Sequence, residues 1–74
     1  MKRIMFGNFQ LGYEQKGKEA YCEIFDLKAQ TRFQVDINKN GIAYIHRAGQ
    51  KVSKQETFMK ALKRLFDMYE KEVA

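Results

Sequence analysis

The stretch that decides the fold is residues 31–46, TRFQVDINKNGIAYIH. Its first half alternates strictly: Phe33, Val35 and Ile37 share one parity, with polar residues between them, which is the period of a strand with one buried face. The Asn-Lys-Asn-Gly that follows predicts a type I turn with Gly41 at the left-handed bulge position of a hairpin. The sequence therefore predicts a β-hairpin whose first strand has an obvious core face.

The turn type decides which face the second strand of this hairpin presents. If the bulged turn forms, Val35 opposes Ile45, while Tyr44 and His46 lie on the other face beside Asp36. A two-residue Asn-Gly turn would reverse this arrangement, because a slip of one residue moves every side chain across the sheet. We favour the bulged turn, and the position of Tyr44 is then the main question about function.

Two more strands are predicted upstream. Residues 9–13 alternate in the same way, and EQKGKE around Gly17 predicts a tight turn after them. Residues 20–27, AYCEIFDL, are apolar on both faces, so the sequence leaves open whether Tyr21 and Phe25 or Cys22 and Ile24 meet the core.

The first strand has a second ambiguity near the N-terminus. The dipeptide Gly7-Asn8 breaks the alternation, and it is either a bulge that bends the first strand or a turn that separates a short terminal strand. Gly7, Gly12 and Gly17 match neither a dinucleotide fingerprint nor a phosphate-binding loop, and we interpret them as turn and bulge residues.

The C-terminal segment is predicted to be an amphipathic helix. Ser53 and Glu56 have the spacing of a capping box, with Ser53 as the N-cap. Apolar residues then recur at intervals of three and four, which places them on one stripe. The predicted stripe contains Phe58, Leu62, Leu65, Phe66, Tyr69 and Val73, widened by Met59, Ala61 and Met68.

These elements predict an α+β fold. It is an antiparallel β-meander of about four strands (ββββα), spanning about residues 3–48, with one C-terminal amphipathic helix, about residues 54–72, packed on one face of the sheet. A chain of 74 residues forms a single domain, residues 1–74. One helix covers one face of the sheet, so the other face is predicted to be left for water, a second copy or a ligand.

Composition narrows the function classes. The single Cys22 and single His46 lie on different predicted strands without a catalytic or metal-binding motif, so we expect neither an enzyme nor a metal or other cofactor. One cysteine gives no sign of an oxidising compartment, and no segment reaches the roughly 20 apolar residues of a membrane span. We therefore expect a cytoplasmic protein without a membrane or small-molecule partner.

The first functional hypothesis is nucleic-acid binding, possibly to single-stranded DNA. Aromatic side chains on a rigid sheet can stack bases, each worth about 1–3 kcal/mol, and a net charge of +5 favours anionic partners. Cations in or beside the loops would reach phosphates. The candidate residues are Arg32, Tyr44, His46, Arg47, Tyr21 and Phe25 on the strands, and Lys16, Lys18, Lys39 and Lys51 around them.

The alternative hypothesis is a protein–protein interaction module. An uncovered sheet face bearing Tyr21, Phe25, Ile42 and Tyr44 would be an exposed apolar patch, and such patches on small proteins usually mark interfaces. Small domains of this kind are often encoded by phage or mobile elements as inhibitors or adaptors that dock on a host protein. A homodimer through the open sheet face is compatible with both hypotheses.

Overall fold

The protein is described here by a computed structural model covering residues 1–41, 43–46 and 54–73, with Tyr44, His46 and Val73 described by their backbone alone. In this part of the chain, five strands precede one helix. The elements are β1 (Lys2–Phe6), β2 (Phe9–Lys16), β3 (Glu19–Asp26), β4 (Thr31–Ile37), β5 (Ala43–His46) and α1 (Gln55–Val73).

The strands form one antiparallel sheet in the order β1-β2-β3-β4-β5, which confirms the predicted meander with a C-terminal helix. The sheet gains a fifth strand because Gly7-Asn8 is a turn rather than a bulge. Phe6 pairs with Phe9, and Gly7 has φ +59°, so glycine takes the first position of a two-residue hairpin loop. The turn at Gly17, with φ +62°, has the same pattern.

The turn between β4 and β5 is the predicted bulged turn. The Gly41 amide donates to the Asn38 carbonyl at 2.9 Å, and Gly41 has φ +77°. Val35 consequently pairs with Ile45, as predicted. Gly41, which adopts the left-handed conformation that this turn requires, therefore determines the register of the hairpin.

The structure resolves the ambiguity of β3. Cys22 and Ile24 are fully buried on the face that meets α1, whereas Tyr21 and Phe25 are half-buried on the opposite face. The two-residue turn at Gly17 produces this parity, because it pairs Tyr13 with Cys22 and so gives both residues the same face.

The core lies between the sheet and α1. The Phe58 ring packs edge-on against Phe9, with centroids 6.2 Å apart, and against Phe33 at 5.1 Å. Such aromatic pairs add about 0.5–1.5 kcal/mol to the free energy gained from burial alone. Buried apolar residues are Phe9, Leu11, Tyr13, Ala20, Cys22, Ile24, Phe33, Val35, Ile37, Phe58, Ala61, Leu62, Leu65, Met68 and Tyr69.

Helix α1 differs from its prediction in one detail. Met59 does not widen the buried stripe, because its side chain is 54% exposed. Phe58 and Leu65 lie at the centre of the stripe and face the sheet, whereas Met59 lies at its edge. Ser53, the predicted N-cap, lies outside the described residues. The Lys54 carbonyl accepts the first helical bond, from the Phe58 amide at 3.0 Å.

Neighbouring turns are tied together at each end of the sheet. At one end, the Tyr69 hydroxyl lies 2.6 Å from the Lys18 carbonyl oxygen and 3.0 Å from that of Asn38, so α1 holds the β2–β3 and β4–β5 turns. At the other end, the Leu27 amide donates to the Asn8 carbonyl at 3.0 Å.

Gly12 is neither a turn nor a bulge residue, which corrects the sequence interpretation. It is buried within β2, paired with Arg3 and Glu23, and the Met1 and Arg3 side chains lie over it. A Cβ at this position would come within 2.6 Å of the Met1 sulfur. Glycine here lets those two side chains approach the strand closely.

Within the described residues, no helical segment combines the length and apolar character that a membrane crossing needs.

Candidate binding face

The face of the sheet opposite α1 is here called the open face. Strand pairing arranges its residues in rows that cross the sheet. One row contains Met5, Gln10, Phe25 and Arg32; the next contains Arg3, Gly12, Glu23 and Gln34; the third contains Glu14, Tyr21 and Asp36, and beyond it Lys16 pairs with Glu19.

The middle of the open face is a cluster of three side chains. The Arg32 Nε lies 3.4 Å from the Glu23 Oε2, and the Arg32 guanidinium carbon lies 5.7 Å from the centre of the Phe25 ring. The Glu23 side chain is only 14% exposed, whereas that of Arg32 is 68% exposed. The arginine therefore covers both the carboxylate and the ring, and its outer surface is exposed to solvent.

A second cluster lies toward the turns that Tyr69 holds. The Lys16 ammonium is 5.4 Å from the centre of the Tyr21 ring and 3.8 Å from the Glu14 carboxylate. Beside Tyr21, the Gln34 amide donates to both oxygens of Asp36, at 3.1 and 3.3 Å. Aromatic rings on this face thus have cations above them and fixed carboxylates beside them.

The open face does not share the positive charge of the whole chain. Its described side chains include three cations and four carboxylates, although the protein carries +5 overall. The cations are Arg3, Lys16 and Arg32, and the carboxylates are Glu14, Glu19, Glu23 and Asp36. This balance suits a surface of mixed charge better than a run of phosphates.

Lys18 and Lys39 occupy a different place from the aromatic residues. They lie on the two turns held by Tyr69 and line a cleft of about 450 Å³, together with Gly17, Asn40, Gly41, Tyr69 and Glu72. The predicted site residues are therefore divided between the open face and this edge. Glu72 reduces the positive charge of the cleft.

Four predicted site residues are only partly described or not described at all. Tyr44 pairs with Asp36 and His46 with Gln34, which confirms the predicted register, but their side chains are not part of the description. Arg47 and Lys51 lie outside the described residues.

The described residues offer little for covalent or metal chemistry. Burial, with a smaller contribution from the charge of Asp36, raises the pKa of the Cys22 thiol to about 12, so this thiol is protonated at neutral pH. In the part of the chain that the structure describes, no three His, Cys, Asp or Glu residues are grouped so that they could hold a metal ion.

Sequence reasoning missed Glu23 as the centre of the open face. It also missed the Tyr69 hydroxyl, whose role depends on a contact between residues 51 positions apart. A signal for Glu23 was present: a two-residue loop at Gly17 fixes the parity of β3, and Glu23 then lies on the same face as Tyr21 and Phe25.

Compared with models of known protein families, with curated protein sequences and with solved structures, the chain matches none of them.

Proposed function

We propose that this protein is a non-enzymatic binding module whose open face docks on another protein. The observation that carries the proposal is the Phe25–Arg32–Glu23 cluster at the middle of a face that α1 leaves uncovered. Aromatic residues and arginine are enriched in the centres of protein interfaces, where they supply much of the binding energy.

The geometry of this cluster favours a protein partner. Arg32 is already held over Phe25 by the Glu23 carboxylate, so less side-chain freedom is lost when a partner covers it. A partner surface of mixed charge can pair with cations and carboxylates alternately, whereas a phosphate backbone would be repelled by the four carboxylates of the face.

The test is affinity capture from a lysate of the source cells, with wild-type protein and an Arg32→Glu variant as matched baits, both after nuclease treatment. We expect a defined protein to be retained by the wild type and lost with the variant. Lys63→Glu, which makes the same charge change on the exposed surface of α1, should retain it. Equal retention by all three baits would contradict the proposal.

Nucleic-acid binding is the second candidate, supported by the two lysines of the turn cleft and by Lys16 above Tyr21. It predicts that the affinity for a single-stranded oligonucleotide falls as salt rises, with a log–log slope of about −0.7 for each phosphate neutralised. Under this candidate, Lys18→Ala and Lys39→Ala each reduce that slope. Binding that salt does not weaken, or no binding to the oligonucleotide, would exclude it.

A further inference from the structure

We propose that two copies of the chain associate edge to edge through β1, which pairs antiparallel with β1 of the second copy to give one continuous sheet. This inference does not depend on the proposed function. It concerns an edge of the sheet, and it leaves both open faces side by side on the same surface of the dimer.

The backbone of β1 is suited to this pairing. The Phe6–Phe9 pair closes a two-residue loop and is therefore hydrogen-bonded, and hydrogen-bonded pairs alternate along an antiparallel ladder. Lys2, Ile4 and Phe6 then bond to β2, while the N–H and C=O groups of Arg3 and Met5 point away from the sheet. The pairing with β2 is continuous along all five residues, so the outer edge is regular.

An exposed regular edge is usually protected by a proline, a bulge or charges. The chain contains no proline, and the protection on β1 consists of two cations at its start, Lys2 and Arg3. The rest of the strand is apolar, and Met5 is 59% exposed. Such an edge readily accepts another strand.

The side chains of β1 are complementary to those of a second, antiparallel β1. With Ile4 at the two-fold axis, Arg3 lies opposite Met5 of the second copy, and Lys2 lies opposite Phe6. No two like charges are directly opposed, and the aliphatic stems of the cations can pack on apolar neighbours. Cations stand at the start of β1 and apolar residues at its end. In an antiparallel pair, the cations of each copy therefore lie opposite apolar residues of the other, not opposite its cations.

The open face is less suitable for self-association. A dimer formed face to face would bury Glu23, Asp36 and their counterparts between two sheets, and desolvating such carboxylates is unfavourable unless cations pair with all of them. Edge pairing leaves these carboxylates in their present surroundings.

The first test is sedimentation velocity on the full chain over a range of about 10 µM to 1 mM, with Met5→Glu and Met5→Lys variants. Both variants lose the same thioether, so the ratio of their dissociation constants isolates the effect of charge. Glutamate would face Arg3 of the second copy in two symmetric pairs, and lysine would oppose it. We expect the glutamate dimer to be tighter by at least about fourfold.

Matched controls are Met59→Glu and Met59→Lys, which change a similarly exposed methionine on α1 and should leave the association unchanged. The second measurement is amide hydrogen exchange in the wild type. We expect the Arg3 and Met5 amides to exchange fast when dilute and to become protected as the concentration rises.

Three results would overturn the inference. They are a wild-type monomer at about 1 mM, equal dissociation constants for the two Met5 variants, and protection that appears on the open face or β5 instead of Arg3 and Met5.

Discussion

Replacement of Tyr69 by phenylalanine tests whether one hydroxyl holds two turns in place. The Tyr69 side chain is 5% exposed, and its ring packs in the core. Its hydroxyl lies within hydrogen-bonding distance of the Lys18 and Asn38 carbonyl oxygens. Phenylalanine keeps the ring and removes the donor, so both carbonyls lose the hydroxyl at once.

The loss of stability depends on the two carbonyl groups that lose their contact with the hydroxyl. A buried polar group without its hydrogen bond costs about 1–3 kcal/mol. The Asn38 carbonyl keeps its hydrogen bond from the Gly41 amide, and both carbonyls belong to surface turns that water can reach. We therefore expect a loss of about 1–3 kcal/mol in total, rather than that amount for each carbonyl. A chain of this length has a total stability of roughly 4–11 kcal/mol, so the loss is a large fraction. It corresponds to a decrease in Tm of about 5–20 °C.

The assay is denaturant unfolding of Tyr69→Phe beside the wild type, followed by amide hydrogen exchange. We expect the midpoint to fall with an unchanged m value, and the amides of both turns, around Lys18 and Asn38, to exchange faster together while Leu27 at the opposite end is unaffected. Tyr21→Phe, on the open face, is the matched control and should change stability by less than about 0.5 kcal/mol. A loss for Tyr69→Phe no larger than that of the control would refute the reasoning.

Three further results are expected from unfolding experiments. Leu65→Ala should cost about 2–5 kcal/mol, because Leu65 is fully buried, whereas Met59→Ala should cost less than about 0.5 kcal/mol. Gly41→Ala should lower the free energy of unfolding by about 1 kcal/mol or more, because Gly41 has φ +77°. Gly12→Ala should lower it by less, since the Met1 side chain that the new methyl group meets is flexible and 44% exposed. The pKa of Cys22 is raised from 9.0 to about 12 in the folded state, so its contribution to stability is complete below pH 9 and is lost as pH rises toward 12. Stability measured between pH 9 and 12 should therefore fall less in Cys22→Ala than in the wild type.

Local pattern was enough to predict the β4–β5 hairpin and most of the helix. Gly41 specified the bulged turn, and the turn specified the register that pairs Val35 with Ile45. The same logic, applied to Gly17, would have placed Cys22 in the core. Apolar residues on both faces of β3 hid this answer, because hydrophobic alternation cannot choose between two apolar sets.

The remaining features depend on how the helix sits on the sheet. Met59 follows the helical period closely enough to be predicted as buried. The orientation of α1 on the sheet nevertheless places Met59 at the edge of the contact, where its side chain is exposed. Net charge did not predict the charge of the open face. The excess of lysine and arginine belongs to the whole chain, while the open face collects Glu14, Glu19 and Glu23 through strand register.

The neighbour-to-neighbour strand order has a consequence for synthesis of the chain. Each hairpin closes only a short loop, so the sheet can grow strand by strand as the ribosome releases it. The apolar face of the sheet, however, stays uncovered until residues 55–73 have been synthesised. A nascent chain stalled before Gln55 would therefore leave Phe9, Phe33 and their neighbours exposed to solvent. Chaperones bind transiently exposed apolar surface of this kind.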